Sequence, residues 1–275
     1  AVLTNAYNCF DFTRAALSKS SLLTQALFWE TAREEGMFIS AIWPIPGFDL
    51  SFVRPDWMHI VDLGTLQYLL GNLLWEVFVE LGGVFSRPKL TCSRIENLIE
   101  MCAARLGVSK PFHSLTVTMF RLAMKSKPKL KLKAAEARHF LPIMKEIIRT
   151  CLPADSAHQV LRLQCVDSLL CCYQEMEHWD QRSSPERFAT AGKRHLLLLV
   201  HLRGESEDPL RWALYPKHHL LIHLIEGAVM SPRLEWNYRD ESEIGDAVAM
   251  SHNTSSRHVC TALVGRYRNT FKLED

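Results

Sequence analysis

This chain has almost no net charge, because 32 lysines and arginines face 30 aspartates and glutamates, a formal +2 over 275 residues. Any case for a polyanionic partner has to be made from local patches. Long apolar runs are missing as well. None is longer than Leu196 to Val200, and the apolar stretch Leu66 to Val84 is interrupted by Glu76 and Glu80. Nothing approaches the ~20 residues of a membrane span, so no membrane partner is expected. Eight cysteines, at 9, 92, 102, 151, 165, 171, 172 and 260, include no C-x-x-C and no zinc-knuckle or disulfide spacing. They read as buried free thiols in a reducing, intracellular setting. No basic segment followed by an apolar one opens the chain, and its start at Ala1 without Met reads as that of a fragment. P-loop, dinucleotide-fold, serine-hydrolase and kinase signatures are all absent, as are internal repeats.

What is present is a globular composition, 48% hydrophobic and 23% charged, dominated by helical periodicity. Leu22 to Glu35 predicts an amphipathic helix closed by Gly36, and Leu50 to Val53 a short strand leading into Pro55-Asp56. Helices are predicted over Thr65 to Leu81, Ser93 to Leu106, Ala134 to Cys151, Asp155 to Trp179, Pro185 to Leu202 and Lys217 to Ala228, joined by short connections. Pro153 and Ser183-Ser184-Pro185 mark helix starts. A final helical pair is predicted over Glu241 to Met250 and Ser256 to Asn269.

Five constellations could carry chemistry. In Arg54-Pro55-Asp56-Trp57-Met58-His59 a carboxylate follows the strand candidate and an imidazole stands three residues on. Strand ends in open sheets project side chains into ligand crevices, and an oxygen ligand there suits magnesium or manganese; the plainer alternative is that Asp56 caps a helix. An acidic cluster, Asp240, Glu241 and Glu243, stands at the start of the helix predicted over Glu241 to Met250 and equally suits its macrodipole. His219 and His223 stand four apart on one helical face, a zinc-compatible spacing, although no Glu follows the first as H-E-x-x-H requires. Lys125, Lys127, Lys129, Lys131 and Lys133, followed by Arg138, alternate along a segment containing Pro128. If extended, the segment points five lysines to one side, a ridge able to neutralise phosphates; otherwise it is a solvated charged loop. Arg266 and Arg268 add a second basic patch, or simply a charged helix face.

Three blocks carry a family resemblance. Pro55-Asp56-Trp57-Met58-His59-Ile60-Val61-Asp62-Leu63-Gly64 with Leu69-Leu70-Gly71-Asn72, then Pro216-Lys217-His218-His219-Leu220, then Tyr238-Arg239-Asp240-Glu241 with Ile244-Gly245, resemble in order the blocks of CACTA, Mirage and Chapaev transposases of the DDE type. The resemblance implies a mainly α protein keeping part of an RNase H-like α/β core interrupted by a large helical insertion. Residues 1–65 would carry the N-terminal helix and core strand, 66–205 the insertion, and 206–275 the return to the core. It implies Asp56 as the second aspartate, His59 beside it, and Glu241 as the glutamate, with Glu243 and Asp240 as competitors. Asp56 and Glu241 would hold Mg2+ or Mn2+, and the setting would be nuclear, with DNA and a homodimer mate as partners. The first aspartate of the triad finds no counterpart, since Asp11 and Asp49 do not sit in a matching strand. The resemblance therefore leaves open an inactive remnant, a helical scaffold or DNA/protein interaction module.

Overall fold

The computed structural model describes residues 56–82, 88–120, 127–153 and 156–234, together with Glu30, Arg33, Glu34 and Tyr238. The chain divides into two units, Ala1–Glu235 and Trp236–Asp275, and nearly all the described residues belong to the first. Among the described residues the structure is helical and contains no strand. The strand expected at 50–53 and the acidic helix expected from 241 lie outside them.

A π-helical opening, Met58–Thr65, runs directly into α1, Leu66–Glu80. Its wider winding shows where the two meet, since the Leu66 N–H donates to the carbonyl of Val61, five residues back. After α2, Pro88–Leu106, and a 3-10 turn, Val117–Phe120, the chain is extended over residues 127–133. Four helices follow: α3, Ala134–Cys151; α4, Ala157–Glu177; α5, Ser184–Glu205; and α6, Pro216–Gly227.

Each helix follows from its sequence. In α3 the buried residues Ala134, Ala137, Phe140, Leu141, Met144, Ile147 and Ile148 recur every three or four positions, which makes one apolar face. The Glu136 carboxylate accepts the Lys133 N–H at 2.9 Å, satisfying a donor at the start of the helix. Ser156 caps α4 by accepting from the Gln159 N–H at 3.0 Å, and the Gln159 amide donates to the Ile148 carbonyl near the end of α3. Pro185 lies in the first turn of α5, where its missing N–H costs nothing.

The most extensive packing joins α4 to α5 as a hairpin; α1 lies against α3, and the π-helical opening rests on α6, α1 and α3. Gly192 lets α5 approach α6, because a methyl there would come within 2.8 Å of Ile225. An aromatic group pins the start of the π-helical opening to the hairpin. The Trp57 ring meets those of Tyr173 and Phe188, each with centroids 5.5 Å away, and Phe188 in turn meets Trp179 at 5.7 Å.

Candidate functional site: a lysine ridge beside the Asp56 block

The Asp56 block is a helix start. Asp56 accepts from the backbone N–H groups of Met58 at 3.3 Å and His59 at 3.1 Å, and His59 donates from Nδ1 to Oδ2 at 2.5 Å. The carboxylate thus occupies the place of a helix cap, with one imidazole fixed on it. Most of the remaining block is core: Trp57, Met58, Ile60 and Val61 are buried. Asp62 is fully buried and accepts the Tyr173 hydroxyl.

Two of the three sequence blocks meet in space. Lys217, in the first turn of α6, donates from Nζ to the His59 carbonyl at 2.6 Å. Its side chain crosses directly over Gly64, where a methyl group would come within 2.6 Å of Lys217 Cδ. Of the third block only Tyr238 is described; Asp240, Glu241 and Glu243 lie outside the described residues, as do Lys125, Arg266 and Arg268.

Lys127, Lys129, Lys131 and Lys133 are brought into one row. Along this extended stretch Pro128, Leu130, Leu132 and Ala134 are buried, Lys129 is half-buried, and Lys127, Lys131 and Lys133 are exposed. The backbone is tied to α1 and to the 3-10 turn: Leu130 N–H donates to the Gln67 carbonyl at 2.9 Å, Gln67 Nε2 to the Leu132 carbonyl at 2.6 Å, and Lys131 N–H to the Met119 carbonyl at 3.0 Å. Gly71 makes this docking feasible, because a methyl there would lie 2.7 Å from the Lys129 nitrogen and 2.8 Å from the Pro128 carbonyl carbon. Arg138 sits in the second turn of α3, half-buried, with Nη2 3.3 Å from His139 Nε2.

Beneath the ridge lies an aromatic stack absent from the sequence expectations. Tyr68 of α1 and Tyr215, at the threshold of α6, lie 3.8 Å apart with planes inclined by 21°, and His218 stacks on Tyr215 at 5.8 Å. Lys127 Nζ stands 4.9 Å from the Tyr215 ring and Lys129 Nζ 5.1 Å from the Tyr68 ring, both within cation–π range. Burial raises the Tyr215 hydroxyl well above its usual range.

The linker from α5 to α6 is held to α1 by a second polar centre. Glu76 accepts from Trp212 Nε1 at 2.9 Å and pairs with Arg162 Nε at 2.5 Å and His158 Nε2 at 3.3 Å, while His158 Nδ1 reaches Glu205 at 2.9 Å. The hydrogen bond to Glu76 raises the His158 pKa, with Glu205 adding to it against the opposing effect of burial. Asn72 accepts the Trp212 N–H at 3.0 Å, across a backbone with φ of 51°, a left-handed conformation unusual for a bulky residue. The sequence signal for this centre was the charged Glu76 among the apolar residues Leu73, Leu74, Trp75, Val77 and Phe78.

The His219 and His223 rings share a 2.9 Å contact between their Nε2 atoms. Burial, then the neighbouring His219, lowers the His223 pKa. Among the described residues no group of three or more His, Cys, Asp and Glu side chains is arranged to hold a metal. The zinc alternative thus lacks a third ligand there. A groove of about 580 Å³ between α4 and α5, lined in part by Gln164, Cys171, Glu175, Arg187 and Arg194, contains none of the candidate catalytic, metal-binding or DNA-binding residues. No described helix is long and apolar enough to cross a membrane. Comparison of the chain with protein families, with curated proteins and with solved structures finds no match.

Proposed function

We propose that this chain is a transposase-derived DNA-binding protein, descended from an enzyme that cut and joined DNA strands with divalent metal ions on a partial RNase H-like core, and that its setting is nuclear. The observation that carries the DNA-binding half is the row of lysines at 127, 129, 131 and 133, held extended by buried alternate residues and by Gly71 and Gln67 of α1. Clustered, pre-ordered cations on a nearly neutral chain are what a phosphate backbone requires. The approach of Lys217 to His59 supports the ancestry, since it joins two of the three resembling blocks across 158 positions of sequence.

The catalytic half of the reading assigns Mg2+ or Mn2+ to Asp56 and Glu241, with His59 beside them. A two-metal site needs several carboxylates bridging ions about 4 Å apart. The described residues do not supply such a set: Asp56 already accepts two backbone N–H groups and the His59 ring, and no metal-holding group of three gathers among them. The same facts favour a second reading, a non-catalytic helical DNA- or protein-interaction module in which the Asp56 block serves packing.

One assay addresses both. Binding of a fluorescent duplex is measured by anisotropy across a salt series, with and without magnesium, and the same samples of wild type and Asp56→Ala are tested for nicking of supercoiled DNA. Salt-sensitive binding without nicking supports the non-catalytic DNA-binding form, and magnesium-dependent nicking lost in Asp56→Ala supports retained catalysis. Absence of binding at low salt would refute the proposal.

A further inference from the structure

Resting on the DNA-binding reading, we infer that residues 127–133 form a phosphate ladder for one strand of duplex DNA, with one lysine to each of four consecutive phosphates. Extended backbone advances about 3.3 Å per residue, so lysines at alternate positions repeat about every 6.6 Å. Successive phosphates on one strand of a duplex that rises about 3.4 Å per nucleotide stand roughly 7 Å apart through space. The two repeats agree closely enough for the lysine stems to absorb the difference and the curvature of the strand. Lysines on a helix, advancing about 1.5 Å per residue and turning through 100° each, hold no such register.

Three further features fit this ligand. The ladder is ordered before DNA arrives, because Leu130 and Leu132 are buried and the backbone is bonded to Gln67 and Met119. The entropy of fixing the segment is thereby spent in folding and does not weaken binding. Lys127 and Lys129 are steadied over Tyr215 and Tyr68. The same two rings stack on each other beneath those lysines, so neither is presented as a platform for unpaired bases. Proteins that hold single strands depend on such platforms. The ligand is accordingly a duplex backbone, gripped without regard to sequence.

The test measures the salt dependence of binding on the whole chain, residue by residue. The probes are a short duplex and a single strand of equal length, each titrated at several salt concentrations from about 50 to 200 mM. Four phosphate contacts contribute about −3.6 to the slope of log K against log salt, equivalent to a loss of about 150-fold over that range. Lys131→Gln and Lys133→Gln, which leave the tyrosine stack intact, are each expected to make the slope shallower by about 0.9, as are Lys127→Gln and Lys129→Gln. Lys131→Arg, which keeps the charge, should retain the wild-type slope, and so should Lys89→Gln on α2. The single strand should bind more weakly than the duplex.

Duplex binding whose slope is indifferent to all four glutamine substitutions would overturn the ladder while leaving the DNA-binding reading standing on other residues. Equal or tighter binding of the single strand would overturn the duplex assignment. Failure to bind either probe at the lowest salt would remove the DNA-binding reading itself, and the ladder with it.

Discussion

Lowering the pH from 7 to 5 withdraws stability at a particular ring, His195. It is fully buried in α5, donates from Nδ1 to the Cys165 carbonyl at 2.9 Å, and burial pulls its pKa down to about 4. In the unfolded chain a histidine titrates near ~6.5. Between those values the unfolded state binds a proton that the folded state refuses, so stability is full above about 6.5 and is lost as the pH falls toward about 4. Integrated from pH 7 to pH 5, the loss from this ring is about 2 kcal/mol. His218, whose pKa is also lowered to about 4 by burial and then by His195, acts in the same direction. His158 acts oppositely: its raised pKa gives stability that is complete below the unfolded value and is lost as the pH climbs through the folded one. The assay is urea unfolding of wild type and His195→Gln at both pH values, monitored by circular dichroism. Subtracting the two proteins cancels the His158 contribution, and the amide of glutamine replaces the donor to Cys165. Wild type should lose about 2 kcal/mol more than the variant between pH 7 and 5. The same pH dependence in both proteins would refute the burial argument.

Gly71→Ala should destabilise, because overpacking against Pro128 and Lys129 costs about 1–3 kcal/mol, against roughly 1 kcal/mol gained in helix propensity. It should weaken DNA binding in parallel, and a variant more stable than wild type in a urea melt would contradict the close approach. Asn72→Ala strips the Trp212 N–H of its acceptor and should cost about 1–3 kcal/mol in the same melt. An unchanged midpoint would show that the linker does not depend on that bond. Asp56→Ala removes the cap of the π-helical opening and should lower stability by about 1 kcal/mol, read as a drop in melting temperature; no drop would mean that the carboxylate contributes nothing to the helix start.

The helices most legible in sequence were those with both an apolar period and punctuation. Ala134–Cys151 matches its expected bounds, and the starts of α5 and α6 fall within a residue of expectation because proline stands at each. The lysine row was legible for a similar reason: Pro128 disfavours helix, and apolar residues occupy the alternate positions. Helical structure between Asp56 and Thr65 was half legible: Asp56 read either as a ligand at a strand end or as the cap of a helix, and the structure shows the cap. What makes it helical is the burial of Trp57 against Tyr173 and Phe188, more than a hundred positions away. Long separation also concealed the meeting of Lys217 with His59, the Tyr68 and Tyr215 stack and the Glu76 centre. Periodicity reports which face is apolar, not which element will cover it.

The π-helical opening gives this part of the chain an asymmetric tolerance of length changes. An α-helix turns through about 100° per residue, so deleting a residue from an ordinary helix swings everything on one side out of register. Over Met58–Thr65 the winding already holds a surplus. A one-residue deletion there would relax the segment to α geometry and leave α1 and its Gly71 contact in place. With the surplus removed, Asp56 on the far side would keep its register with α1, so the segment tolerates the loss of a residue better than the gain of one. A further inserted residue, by contrast, has no slack left to absorb it and would swing the Asp56 block away from Lys217 while residues 127–133 stayed docked on α1.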